Sequence, residues 1–472
     1  MKRKKIAILL LITCLITGMS LMTSCNNTED PTKDLSAKLD SKLNAYKTDL
    51  QDSADTMNSN KNIRNYLTSW AKEKGISYNV DKAGNVIMTS DAGKGYKEVA
   101  PTVILCSYDE SQFSSYIDPI VMALYTIKNN ESTGKLTVIF TAENGHSLSG
   151  VKSLSSSYFT DDTNVFCINS GQKGLFATKT GASSSYRSTQ SISYTTPTLT
   201  KAYKISMTGL PGGQPDSKTS DMINPITRMS SLLSSLKSSG ISYQLASING
   251  GDDDDLYAKS ASMTIVIDAN KEESFIEKMD KATEKFNEKN KDEFKGIKYS
   301  YKKVSMPSKV ISTSDCNRFV SFMYTLLDGV YYKDDDGNLV SITNISSIKT
   351  TDSSIRIGSV AYSLDKANLK EIDTGEETLC NLSGISYKKT SSIPLWEGKS
   401  DTKFTTAVAA AYKDYVSQTL TYSDSVPSSL ASYISQKNSK CDIISITVND
   451  NVVKDCTGAL VTYLIDTNQK DK

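Results

Sequence analysis

Residues 136–154, LTVIFTAENGHSLSGVKSL, constrain the fold more than any other stretch of this chain. The run 136–141 is an unbroken series of apolar and β-branched side chains. Such a run belongs to a strand buried on both faces, because polar alternation is needed only where one face meets water. A helix is expected directly behind it. Leu148, Val151 and Leu154 recur at helical spacing, and Ser147 and Ser149 are placed to cap the first turn. Open α/β sheets put their ligands beyond the carboxyl ends of the strands. Glu143, Asn144, Gly145 and His146 fall there, so the turn from strand to helix is the expected active corner.

The chain alternates in the same way on either side. Residues 34–57 are charged with spaced Leu35, Leu39, Leu43, Tyr46 and Leu50, which reads as a solvated amphipathic helix acting as a spacer. A helix over 62–74 follows, then a hairpin over 76–88 around Lys82-Ala83-Gly84-Asn85. Residues 101–109, PTVILCSYD, are a second buried strand, and 164–170 a third. Over 118–129 a helix is expected, with Asp118 as cap and Pro119 at its first position. From 201 to 382 the order changes. Strands over 203–210 and 243–248, Asn249-Gly250-Gly251, a charged helix over 271–291 and later alternating strands to 362 make an α+β unit. The acidic run 252–255 lacks the ligand spacing of a calcium loop and reads as a solvated turn. Strand 385–394 is expected to return to the first unit, followed by a helix over 401–416 and a last core strand over 441–448. The fold class is α/β: a mixed sheet flanked by helices, in two parts at 59–200 and 383–472, interrupted by an inserted α+β lid at 201–382.

At 472 residues the chain is long enough for two or three domains. Lys plus Arg (54) nearly balance Asp plus Glu (53), so no field exists to draw nucleic acid, and that partner class is excluded. Basic residues 2–5, an apolar run over 6–19 and Leu21-Met22-Thr23-Ser24-Cys25 read as a signal peptide, 1–24, ending at a lipidated cysteine. The apolar run is shorter than the ~20 residues of a membrane span. Met22 stands where such boxes usually carry leucine. The expectation is a protein tethered through Cys25 to the outer face of the cytoplasmic membrane, with 25–58 as tether and leading helix. Cys106, Cys167, Cys316, Cys380, Cys441 and Cys456 permit disulfides there, and buried free thiols equally. His146 is the single histidine, scarce for a chemistry that leans on histidine as metal ligand and base. It is a ligand or base in one reading and an ordinary loop residue in the other. No phosphate loop, paired CxxC or nucleophile elbow is present.

Several of these motifs together resemble the aminoacyl-histidine dipeptidase branch of the two-metal peptidases that cleave dipeptides and acylated amino acids. They are the strand–loop–helix at 136–154, Ala83-Gly84-Asn85, Asn224, Asn249-Gly250-Gly251 and Pro394-Leu395-Trp396, within a resemblance that runs from about 62 to 465. It implies a zinc-peptidase-like fold with a doubled lid. It also implies a site, and the chain departs from it. Ser107 stands in place of a metal-binding histidine, with Asp109 kept as the carboxylate that would orient it. Asp118 falls near the carboxylate that bridges the metals. Asn144 replaces the general base, Gly145 and Asn169 replace metal-binding acids, and Cys456 is nearest to the final histidine. In the lid, Gln214 replaces a substrate-binding histidine, Asn224 matches, and Asp255 stands for an asparagine. Neutral replacements are physically coherent, since clustered carboxylates repel one another once no cation screens them.

The reading favoured by these departures is a catalytically inactive surface lipoprotein, acting as a binding or structural module without a cofactor. A hydrolase rebuilt from Cys456, Asp109, Asp118 and His146 with zinc is the second. A lipoprotein that captures a peptide or other small molecule in its cleft is the third.

Overall fold

The computed structural model describes residues 31–129, 134–171, 174–216, 219–252, 256–292 and 295–466. The signal segment with Cys25 and the position Asp255 lie outside the described residues, and of His146 only the backbone is described. No helix among the described residues is long and apolar enough to cross a membrane.

The corner strand, Leu136–Ala142, sits inside a nine-stranded sheet. Thr102–Tyr108 runs parallel beside it, then Asn164–Ser170, then Asp442–Val448, all in one direction. The hairpin of Ser77–Val80 and Val86–Ser90 extends one edge, and antiparallel Leu175–Thr180 the other. Side chains alternate across the pleat, so each parallel strand feeds two cores. Ile104, Cys106, Val138, Phe140, Phe166 and Ile444 join a core with the helices Phe113–Lys128, Lys403–Val416 and Val453–Asp466. Val103, Leu105, Ile139, Val165 and Ile443 join the other, with Val151, Leu430 and Ile434. Phe166 meets Phe404 and Tyr463 edge-on, with ring centroids 5.0 and 5.5 Å away. Two covered faces explain the unbroken apolar runs.

Three expectations are corrected. The leading helix, Pro31–Asp52, is no solvated spacer: Leu39, Leu43 and Leu50 are buried in the first core, against the helices Phe113–Lys128 and Val453–Asp466. Lys47 on this helix pairs with Asp118 at 2.8 Å and with Asp450, and Lys454 reaches Asp40 at 2.8 Å. The second concerns the helix expected at 118, which begins at Phe113. Asp109 caps the short turn Glu110–Gln112 through Ser111 N and Oγ at 2.7 and 2.6 Å, which turns the chain into the helix early. Asp118 is therefore an ion-pair partner rather than a cap. Pro119 lies inside the helix, where it gives the Ser115 carbonyl no N–H.

The third concerns the lid. A second nine-stranded sheet runs in the order Lys298–Lys303, Lys201–Thr208, Ala261–Ile267, Tyr243–Gly250, Leu339–Thr350, Ser354–Ser363, Ala182–Ser191, Ser386–Ile393, with Gly329–Lys333 as the ninth strand, paired with Leu339–Thr350 off this path. It takes in strands on both sides of 201–382. Ser386–Ile393 pairs with Ala182–Ser191 and does not return to the first sheet. All six cysteines of the described residues are free and buried, which settles the open disulfide question.

Beneath the helix Lys366–Leu382 lies Glu376, 3% exposed, with no hydrogen-bond partner for Oε2 among the described residues. Asp373, Glu377 and Cys380 of its own helix, with Tyr186 and Tyr387 of the strands below, are the titratable groups around it. None is a cation. Burial pushes its carboxyl from 4.5 up to about 7. The folded state then holds a proton that the unfolded chain releases, so the stability it contributes is full below 4.5 and is lost as pH rises through 7. Melting temperature should fall over that window, and Glu376→Gln should flatten the fall. An unchanged slope in Glu376→Gln would assign the pH dependence to other groups.

Candidate functional site

The corner is built by buried polar groups. Glu143, 1% exposed, turns back beneath the chain and accepts from Gly150 N and Val151 N at 2.8 and 3.1 Å. It thereby caps the short helix Ser149–Ser153, and the expected caps are corrected: neither Ser147 nor Ser149 does so, and Ser147 Oγ instead donates to Asn144 O. Burial raises the Glu143 carboxyl above its usual range, against the lowering by those N–H groups. Asn85, 0% exposed, joins strand to helix. Its Oδ1 accepts from Ala142 N at 2.8 Å, and its Nδ2 donates to Asp81 Oδ2, Gly150 O and Ser153 Oγ. Gly150 is required by space, since a Cβ there would lie 2.5 Å from Ala142 O. Leu148 takes the left-handed conformation, φ 50°, at the start of that helix. Asp109, expected to have lost its function of orienting a ligand, receives Gly145 N at 2.5 Å and so ties the second strand end to the corner loop.

A cleft of about 1210 Å³ opens where the parallel strands end, with the second sheet opposite. Ser107, Gly145 and Asn169 are brought together there as expected, and Gln214 reaches it from the lid. Ser107 Oγ lies 3.2 Å from Thr141 Oγ1. Asn169 Nδ2 donates to Ser445 Oγ at 2.9 Å and Cys167 O at 3.1 Å, which fixes its amide.

The remaining candidates lie elsewhere. Asn144 is exposed, caps nothing and does not line the cleft. Asp118 faces Lys47 on the outer helix layer. Cys456 is 2% exposed in the first core, and burial pushes its thiol up to about 12, so it supplies no thiolate to the cleft. Asn224 is a buried helix cap: it accepts from Ile226 N at 2.9 Å and donates to Asp328, Asn344 and Ile345 O. Its role in the lid is structural rather than toward a substrate.

The sequence reading missed Gln112 and Asn449, which line the cleft at the start of the helix Phe113–Lys128 and beyond the strand Asp442–Val448. Asn449 was visible as the residue following the last core strand, whereas Gln112 was hidden by the misplaced helix start. Ser423–Ser425 and the segment to 429 also line it, with no apolar periodicity to announce them.

The residues at the strand ends do not fit the metal pair of the resembling peptidases. They offer a hydroxyl, a glycine and carboxamides, and Asn169 already directs its nitrogen at protein acceptors. Among the described residues no three His, Cys, Asp or Glu side chains gather to hold a metal.

The corner's dependence on Asn85 is testable. Asn85→Ala leaves the part-buried Ala142 N–H without its acceptor and the Gly150 carbonyl with Ser153 Oγ as its remaining side-chain donor, and should cost about 1–3 kcal/mol in denaturant unfolding. Asn144→Ala, exposed and uncapped, should change stability by less than about 0.5 kcal/mol. Equal effects would remove the role given to Asn85.

Known proteins place this architecture. Residues 213–293 match the M20 family model described as a peptidase dimerisation domain. The aminoacylhistidine dipeptidase from Vibrio alginolyticus superposes with a TM-score of 0.59 at 15% identity, over 88% of this chain and 96% of that one. The dipeptidase Dug1p from Saccharomyces cerevisiae gives 0.49 at 9% identity, over 93% and 99%. The aminopeptidase PepT from Bacillus cereus gives 0.46 at 11%, over 85% and 92%. No curated protein matches the chain. With its parallel-centred sheet and its second sheet across the cleft, the chain has the mixed α/β fold of the M20 peptidases with their dimerisation lid, a dipeptidase-like scaffold.

Proposed function

We propose that this protein is a lipid-anchored, extracytoplasmic binding module on a dipeptidase-like scaffold, without peptidase catalysis. The observation that carries the reading is the uncharged cleft floor. Ser107, Gln112, Gly145, Asn169 and Asn449 occupy the ends of the elements that converge there, and none offers a carboxylate, imidazole or thiolate. Hydrolysis of an amide at neutral pH needs an activated water, and Asn144 can take no proton from one. Loss of a positioned base alone lowers a rate by roughly 100- to 10,000-fold. The alternative of a site rebuilt with zinc has less support, because Cys456 and Asp118 are buried or paired away from the cleft. Anchoring rests on the N-terminal pattern ending at Cys25, and a peptide or other small solute in the cleft is the partner besides the membrane.

Purified mature protein should contain no stoichiometric zinc, manganese or cobalt, and aminoacyl-histidine dipeptides should survive prolonged incubation with it. Stoichiometric metal together with dipeptide cleavage would overturn the reading. Cys25→Ala should release the protein from membranes or block processing of its signal. Normal cleavage with full membrane retention would rule out the lipid anchor.

A further inference from the structure

The ligand of the cleft can be narrowed, on the reading that the cleft binds without hydrolysing. We infer that it takes an uncharged, polyhydroxylated molecule, a short oligosaccharide.

The first argument is the chemistry of the floor. Gln112, Asn169 and Asn449 from the first sheet's elements and Gln214 and Asn338 from the lid are five carboxamides around one cleft, with the Ser107 hydroxyl among them. Asn169 and Asn338 give their Nδ2 to protein acceptors, and Asn449 Oδ1 accepts from Asn451 N at 3.0 Å. A carboxamide presents donors and an acceptor side by side, and a hydroxyl is both at once. Sugar hydroxyls are likewise donor and acceptor. A carboxylate ligand asks only for donors, and an ammonium only for acceptors.

The second argument is what has become of the charges in the lining. Asp216 accepts from Thr219 N at 2.9 Å, Asp334 from Asn338 N at 2.7 Å, and Asp365 from Ala367 N at 2.6 Å as a helix cap. Lys179 pairs with Glu397 at 3.4 Å. Each is held by its own turn or partner. The other two charged side chains, Lys333 and Asp424, are exposed. A charged group carried down to the floor would leave water without a counter-charge, which is costly, whereas a polyol exchanges water for equivalent hydrogen bonds.

The third argument is shape. Tyr332, 48% exposed, and the half-buried Tyr116 line the same space, while Tyr362 beside them is buried in the core. An aromatic ring is an apolar plate with a polar tip, suited to the C–H face of a pyranose. The volume, about 1210 Å³, exceeds the ~300–1,000 Å³ of common small-ligand sites, which leaves room for more than one ring.

Titration calorimetry on the full mature protein tests this. The probes are neutral di- and trisaccharides with glucose, xylose and N-acetylglucosamine units, beside a dipeptide and a hexose phosphate. At least one neutral saccharide should bind, with a Kd that moves less than about twofold between about 50 and about 500 mM NaCl, since no ion pair is formed. Gln214→Ala and Tyr332→Ala should each weaken it about tenfold, the equivalent of one lost hydrogen bond or stacked face. Asn144→Ala should leave it unchanged. Preference for the dipeptide or the hexose phosphate, or affinity that collapses with salt, overturns the inference. So does failure of every saccharide to bind a protein that is also unable to cleave dipeptides, and in that case the non-hydrolytic reading stands. Cleavage of the dipeptide removes both.

Discussion

The corner at the end of Leu136–Ala142 depends on a carboxylate that points inward. Glu143 satisfies two N–H groups at the start of the helix Ser149–Ser153, whose own N-terminal residues give no side-chain cap. Without it, that helix end would be buried with orphan donors. Asn85 closes the same junction from the hairpin, and Asp109 does so from the neighbouring strand. Three polar side chains from three elements therefore fix where the strands end, and the cleft opens only because they end together. In a site that holds metal, the cation itself draws such groups into place. Here backbone N–H groups provide the positive ends of the dipoles that hold Glu143 and Asp109.

Asp118 also takes a protein partner. Its carboxylate is half of an ion pair with Lys47, on a helix whose leucines are buried in the first core. Lys47 also reaches Asp450, the residue after Asn449 of the cleft floor. The leading helix thus braces two segments that go on to line the cleft. A part-buried pair of this kind does little for net stability, but removal of either member leaves the other poorly solvated. An amphipathic helix that looked like a spacer is a structural member of the sheet domain.

What the sequence made legible was whatever had a strong period. Strands buried on two faces were readable because both cores demand apolar residues, and Leu136–Ala142, Thr102–Tyr108, Asn164–Ser170 and Asp442–Val448 fall where unbroken runs placed them. Ala182–Ser191 was unreadable for the opposite reason. Its Ser183, Ser184, Ser185, Ser188 and Gln190 are buried although hydroxylic or amidic, so neither period nor hydropathy marks a strand. The site was half legible. Ser107, Gly145 and Asn169 follow from strand ends, whereas Gln112 and Asn449 required the true helix start and the true end of the last strand. Cys456 was placed by distance along the chain, and the helix Val453–Asp466 carries it into the core instead.

The two sheets also meet through neutral contacts. Ser183 Oγ lies 3.2 Å from Ser428 Oγ, and Thr180 Oγ1 lies 3.0 Å from Ser429 Oγ, linking the strands around 180 to the segment that lines one wall of the cleft. The turn Gly145–Ser147 packs against Ser386–Ile393, the edge strand of the second sheet. At these points the wall is held by hydroxyl pairs and van der Waals contact, interactions that depend on fit far more than on ionic strength. The floor of the cleft is uncharged and this wall is tied by hydroxyls, while Lys179, Asp216, Lys333, Asp334, Asp365 and Asp424 carry the charge of the rest of its lining. For the neutral ligand proposed above, selectivity would come from shape and from the direction of hydrogen bonds rather than from attraction of opposite charge at a distance.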